Sequence, residues 1–216
     1  MRGKLLPLFA LMLAVMAAGI VFAATGENAG TDVGSTGQLT EGPATPGQAV
    51  AQGGNVTRVD VESNASATKW QGFYGNVSGN VRLGLTTNTF YDFGSSDIIA
   101  VYAARDQNFD FASMSNALAQ NVSTAFGLTG VENSTAVYTN VLSIDGLVNT
   151  PSTALEDGNF NTYIVDDGND AAINDFAFGG EVQNTGAAGF DGVHYEYELL
   201  VPVEAGTPTY YFFMSI

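Results

Sequence analysis

Val193–Val203 reads VHYEYELLVPV, and this stretch decides how the rest of the chain is read. Val193, Tyr195, Tyr197, Leu199, Val201 and Val203 alternate with His194, Glu196, Glu198, Leu200 and Pro202. Successive side chains of an extended strand point to opposite faces, so this period of two sets one apolar face against a mostly charged one. Glu196 and Glu198 are thereby expected on a solvated face. Pro202 has no backbone N–H for a ladder, which puts the strand at a sheet edge or ends it there.

Working outward, the neighbouring segments carry the same signal. Thr209–Ile216 contains Tyr210, Tyr211, Phe212 and Phe213, and so apolar a strand should be packed. Ile98–Ala104 is continuously apolar, as suits a strand covered on both faces. In Asn80–Leu85, Val81, Leu83 and Leu85 alternate with Arg82 and Gly84. Turn pairs Asp145-Gly146, Asp157-Gly158, Asp167-Gly168, Gly179-Gly180 and Asp191-Gly192 succeed one another at intervals of 12, 10, 12 and 12 residues. Strands of five to eight residues fit between such turns, the spacing of a sandwich or barrel. The expected fold is mainly β, a jelly-roll-like β-sandwich. One segment departs from it: Phe111, Met114, Leu118, Val122 and Phe126 recur at helical intervals, with Gly127 just after them, which predicts one short helix near 113–125.

The N-terminus assigns a compartment. Arg2 and Lys4 precede Leu5–Ala24, 20 residues without a polar side chain, closing on Val21-Phe22-Ala23. This is the pattern of a signal peptide removed over residues 1–23. The run is also long enough to span a bilayer as an N-terminal anchor, and cleavage after Gly3, of the prepilin type, would leave it as an assembly helix. Every one of these readings exports the remainder of the chain to the cell surface or beyond, with membrane contact only through an uncleaved N-terminal segment. Residues 24–55 read as a flexible linker, because Thr25–Asn55 holds 8 glycines and no aromatic residue. Fully extended, it reaches roughly 100 Å. Residues 56–216 form the expected β-sandwich domain.

Composition excludes several functions. Of 216 residues, 22 are Asp or Glu and 6 are Lys or Arg, a formal charge of −16 that becomes −18 once Arg2 and Lys4 leave with the signal. Phosphate binding needs clustered cations, so nucleic acid is not a partner. Without cysteine there is no disulfide framework, thiol nucleophile or thiolate metal site. The one histidine, His194, lies on the charged side of its strand, and no serine stands in a Gly-x-Ser-x-Gly elbow. No carboxylate pair is singled out for glycoside hydrolysis. The expectation is a non-catalytic protein.

Three groups of candidate sites remain. Asp106, Asn108 and Asp110, like Asp157, Asn159 and Asn161, offer oxygens at alternate positions, and Asp166, Asp167 and Asp170 make a further acidic turn. Such oxygens suit a structural Ca²⁺. Neither triplet completes an EF-hand, since Phe111 and Thr162 replace the loop glycine while Ala117 and Gly168 replace its last glutamate. Asp- and Asn-rich turns are also what hairpins require. Glycosylation sequons begin at Asn55, Asn64, Asn76, Asn121 and Asn133, each usable on an exported chain. Trp70, Phe73 and Tyr74 gather beside glycines and read either as a ligand-stacking platform for a glycan or as core.

Trp70–Asn80, WQGFYGNVSGN, with Val81-Arg82-Leu83 directly after it, resembles a motif of secreted archaeal β-rich surface proteins. The strands Leu200–Val203 and Thr209–Phe213 are similar to theirs, so the likeness covers Lys69–Ile216 and is carried by its two ends. Signal, polar lead-in and β-sandwich together also resemble archaeal thread and bundling-pilus subunits, which assemble by donating a strand to a neighbour. The resemblance implies a surface or filament protein with no catalytic residues. The expected partners are therefore copies of the chain itself or other surface proteins, with Val56–Val61 as the strand that would be donated. The alternative is an extracellular module that binds carbohydrate or a protein partner.

Overall fold

The computed structural model describes residues 26–34, 36–37, 48–60, 67–79, 81–85, 87–93, 99–144, 147–168 and 172–215. Residues 1–23, read above as a signal peptide, Asp145-Gly146 and Val61 lie outside them. The strands are β1 (Gly26–Asn28), β2 (Trp70–Gly75), β3 (Val81–Leu85), β4 (Asn88–Phe93), β5 (Ala100–Ala104), β6 (Ser115–Asn116), β7 (Asn140–Leu142), β8 (Thr150–Leu155), β9 (Phe160–Asp166), β10 (Phe176–Glu181), β11 (Ala187–Ala188), β12 (His194–Tyr195), β13 (Tyr197–Pro202) and β14 (Tyr211–Ser215). The helices are α1 (Ala119–Phe126) and α2 (Ser134–Val137). Among the described residues, no helix is long and apolar enough to cross a membrane.

One antiparallel sheet runs in the order β1-β14-β5-β10-β9-β8-β7, with β6 added on β9. β2 and β13 form a two-stranded ribbon of their own, and β3–β4 and β11–β12 are separate hairpins. The fold is thus mainly β, with layers of unequal size. Every residue of β5 is buried, as its unbroken apolar run requires. Val101 and Ala103 join Ile164, Phe176 and Phe178 on the face covered by Leu199 and Val201 of β13 and by Val122 and Phe126 of α1. Ala100, Tyr102 and Ala104 join Tyr163, Val165 and Phe213 on the other face, closed by Phe109, Phe111 and Leu147. The β13 stripe holds as far as Tyr197, and Pro202 ends a strand whose one ladder partner among the described residues is β2.

Gly179-Gly180, expected as a turn, lies inside the central strand β10. Gly179 pairs with Tyr102 of β5 on one side and with Tyr163 of β9 on the other. The two tyrosine rings meet edge to face with centroids 5.9 Å apart. A Cβ on Gly179 would overlap the Tyr163 ring, and one on Gly180 would sit 2.7 Å from the carbonyl oxygen of Glu198 in β13. These glycines permit close approach on both faces of the sheet rather than a reversal of the chain.

The helix starts later than its apolar spacing suggests. Phe111–Ser113 is a 3₁₀ turn, because Asp110 accepts from the Ala112 N–H at 3.0 Å and from the Ser113 hydroxyl at 2.8 Å. Ser115 then donates its hydroxyl to Asp166 at 2.6 Å beside the β6–β9 ladder. Short polar side chains bonded in this way compete with helical backbone bonds, so α1 begins only at Ala119. Gly127, with φ 62°, ends it as expected.

One strand lies within the segment read as linker. Gly26–Asn28, read as linker, is strand β1, with Gly26 opposite Ser215, Glu27 opposite Met214 and Asn28 opposite Phe213. The Ala29 N–H extends the ladder to the Phe212 carbonyl at 3.0 Å. Val56–Asp60, read as the domain's opening, is exposed and pairs with no strand among the described residues. Three residues are too few to show a period of two, which is why β1 escapes a sequence reading.

Gly179→Ala should destabilise the protein by about 1–3 kcal/mol through overpacking. Urea titration checks this against Gly72→Ala, where an added Cβ meets nothing within 4 Å. Equal midpoints for the two variants would contradict the account of β10.

Candidate functional site

Tyr197 pairs with Gly75, Glu198 with Tyr74 and Leu199 with Phe73, which fixes the faces of the ribbon. Leu199 and Phe73 turn toward the main sheet; Phe73 meets Phe212 edge to face at 5.1 Å. Trp70 also belongs to this interior. Its indole N–H donates to the Glu132 carbonyl at 2.8 Å, and its ring lies 5.8 Å from that of Tyr138. Glu132 reciprocates by accepting the Lys69 N–H at 2.9 Å, which ties the entrance of β2 to the loop before α2. Of the three proposed stacking residues, Trp70 and Phe73 therefore pack inward and Tyr74 alone faces out, 41% exposed.

Tyr74 is not isolated there. Phe190 and Tyr195, carried by the β11–β12 hairpin, each place a ring 4.7 Å from it. Phe190 is 55% exposed, so the outer face of the ribbon carries an open aromatic cluster. Neither residue was picked out by its sequence. The alternation through Val193 and Tyr195 pointed to core, but the chain bends at Glu196, whose N–H donates to the Gly75 carbonyl at 3.0 Å. Beyond that bend Val193 is exposed. The signal that marks the pair is the Asp191-Gly192 turn: Phe190 rides in the reversal that the Gly192 N–H closes on the Gly189 carbonyl, and Tyr195 lies on the strand that follows it.

Carboxylates surround the cluster. Asp191 accepts the Tyr195 hydroxyl at 2.9 Å, a bond that leads in pushing the phenol's pKa up to about 12. Glu196 accepts the Val77 N–H at 2.7 Å. Glu198, expected on the solvated face, is buried beneath the Gly189-Phe190 turn and accepts the Phe190 N–H at 3.2 Å. Burial pushes its carboxyl pKa up; the Phe190 N–H opposes the rise, while Glu156 and Asp191 add to it. A side chain on Gly189 would overlap the Glu198 carboxylate, so the turn closes over the acid only with glycine at that position. His194 stands exposed on β12.

The proposed metal ligands are spread over separate turns. Asp106 accepts the Asn108 N–H at 2.8 Å, and Asp110 serves the 3₁₀ turn described above. Asn159 donates to the Ala188 carbonyl at 3.1 Å and Asn161 to Glu181 at 3.0 Å. Asp166 accepts from Ser115 and from the Gly168 N–H, while the Asp167 N–H donates to the Asp175 carbonyl. The Asp157 side chain and Asp170 lie outside the described residues. Among the described residues, no three acidic or histidine side chains converge on one point. The carboxylates of Asp106, Asp110 and Asp166 each accept a backbone N–H within their own turn.

The sequons differ in setting. Asn55 and Asn76 are exposed, Asn121 is half-buried inside α1, Asn133 caps α2, and Asn64 lies outside the described residues. No family model, curated protein or solved structure matches the chain.

Because the Glu198 carboxyl is raised in the folded state, the native protein holds the extra proton and stability falls as pH rises through that window. Glu198→Gln keeps an acceptor for the Phe190 N–H while removing the charge. It should therefore raise the melting temperature at neutral pH, with the gain shrinking below the ordinary carboxylate range. A pH series of melting curves in which the variant's advantage is constant would contradict this.

Proposed function

We propose that the protein is an exported, non-catalytic structural component of the cell surface whose copies assemble by exchanging β1. The carrying observation is the pairing of Gly26–Asn28 with β14, at the edge of the main sheet. Among the described residues three pairs and the next N–H hold this strand, a short ladder that is easily exchanged. The chain between Ala29 and Lys69 would reach roughly 130 Å when extended, far enough for β1 to leave its own sheet for a neighbour's. Its described residues 48–60 are exposed. With β1 withdrawn, β14 would present unpaired backbone groups, an edge that folded proteins otherwise cover. An incoming copy of β1 restores the same bonds in the same register.

The donated segment in this reading is Gly26–Asn28 rather than Val56–Val61. If the signal is removed after Ala23, β1 stands at the very start of the mature chain, where nothing hinders its passage into another sheet. The charge of −18 opposes the approach of two copies, and salt would screen that repulsion over a Debye length of about 10 Å at 0.1 M. The charge thus sets a condition on assembly.

The absence of cysteine makes a direct test available. Glu27→Cys with Met214→Cys places two thiols at paired positions of the β1–β14 ladder, and the mature double variant is oxidised across a salt series. Exchange predicts a ladder of disulfide-linked multimers on a non-reducing gel, strengthening with salt and missing from either single variant. Filaments under the electron microscope accompanied only by internally bridged monomer would overturn it.

A further inference from the structure

We infer that Asn76 is the acceptor of an N-linked glycan whose first sugar packs on the Tyr74–Phe190–Tyr195 cluster. This goes beyond assembly and does not depend on it. Two observations converge on the site: an exposed sequon at the end of β2, and an exposed aromatic cluster beside it with no core role.

The five sequons are not equivalent. At Asn133 the sequon's own Thr135 hydroxyl donates to the amide oxygen at 2.7 Å, and the same oxygen caps α2 by accepting the Ala136 N–H, so the hydroxyl a transferase must read is already engaged. Asn121 is held within helix α1. Asn55 is exposed, yet the sequence offers no aromatic residue between Phe22 and Trp70 to meet a sugar there. Asn76 is exposed together with Ser78, the sequon's hydroxyl residue. The Glu196 N–H donates to the Asn76 amide oxygen at 3.2 Å, which holds that oxygen against the ribbon and turns Nδ2 away from it.

Position does the rest. Tyr74 lies in β2 and Asn76 directly follows its last residue, Gly75; the two are both exposed and two positions apart, within roughly 7 Å along extended chain. Gly75 between them contributes no side chain, and its inward side is taken by the Tyr197 ring. A pyranose presents an apolar C–H face inside a rim of hydroxyls. Its C–H face matches the open Tyr74 and Phe190 rings, whose area would leave water, while Asp191, bonded to the Tyr195 hydroxyl, and Glu196, bonded to the Val77 N–H, supply carboxylate acceptors beside the cluster. Tethering by Nδ2 removes the entropy cost of capturing a free sugar, which favours a glycan attached in place over one arriving from solution.

Attachment is a group transfer from a lipid-linked oligosaccharide. The Asn76 Nδ2 forms a bond to the anomeric carbon as that carbon's bond to the lipid phosphate oxygen breaks. The phosphate leaves with the electron pair, and the amide nitrogen gives up one proton to the transferase's base.

The test uses the full chain secreted from an N-glycosylating host, mapped by glycopeptide mass spectrometry and then subjected to thermal melting. Asn76 should be modified, and Ser78→Ala, which destroys the sequon but keeps the Asn76–Glu196 bond, should leave it bare. The modified protein should melt about 2–4 °C above the Ser78→Ala protein. That difference should vanish in a Phe190→Ala background, and in a Tyr74→Ala background if that variant folds. An unmodified Asn76 in a preparation whose Asn55 is occupied would overturn the assignment of the acceptor. A modified Asn76 whose melting shift survives Phe190→Ala would overturn the packing.

Discussion

The structure depends on two missing side chains in the middle of β10. On one face, Gly179 leaves room for the Tyr102 and Tyr163 rings to meet across three strands. On the other, Gly180 lets the β13 backbone come down onto the sheet at Glu198 and Leu199. Glycine in a strand interior normally weakens it through backbone entropy. Here the loss is offset by two layers that could not otherwise close. The site inherits this arrangement: Glu198 over Gly180 pairs with Tyr74, so seating β13 also aims Tyr74 outward.

The sequence showed most of what repeats and little of what does not. β5, β13 and β14 were legible because burial writes itself as an unbroken or alternating apolar run. The helical stripe was legible too, although Asp110 and Ser115 bond locally and delay the helix to Ala119. Gly179-Gly180 misled because a glycine pair that admits a ring has the same letters as one that reverses a chain. β1 was hidden by its brevity. The aromatic cluster was half legible: Tyr74 stood in a segment rich in aromatics and glycine, while Phe190 and Tyr195 depend on a bend at Glu196 that the alternation conceals.

Scarce cations are used economically. Arg105, at the end of β5, pairs with Glu204 at 2.6 Å and lies over the Tyr210 ring at 5.4 Å, joining the approach to β14 to the core. The side chains of both partners are largely shielded from water, so this pair is held more firmly than the solvent-exposed Arg58–Asp60 contact. In a chain this acidic, one well-placed arginine can fix a strand whose outer edge is open to β1. Asp106, Asp110, Asp166 and Asp191 each shape a turn.

The pairing of Gly26 with Ser215 means that the first and last strands of the described chain lie side by side. The polypeptide nearly closes a circuit, and residues 48–60, on the way from β1 to β2, are exposed. A single proteolytic cut between 48 and 60 would sever no ladder bond. It would, however, change what β1 is: an internal strand would become a bound peptide, free to dissociate at a rate set in part by the β1–β14 ladder. Whether the molecule behaves as one covalent chain or as a body with a detachable edge is thus decided in a segment that joins no sheet.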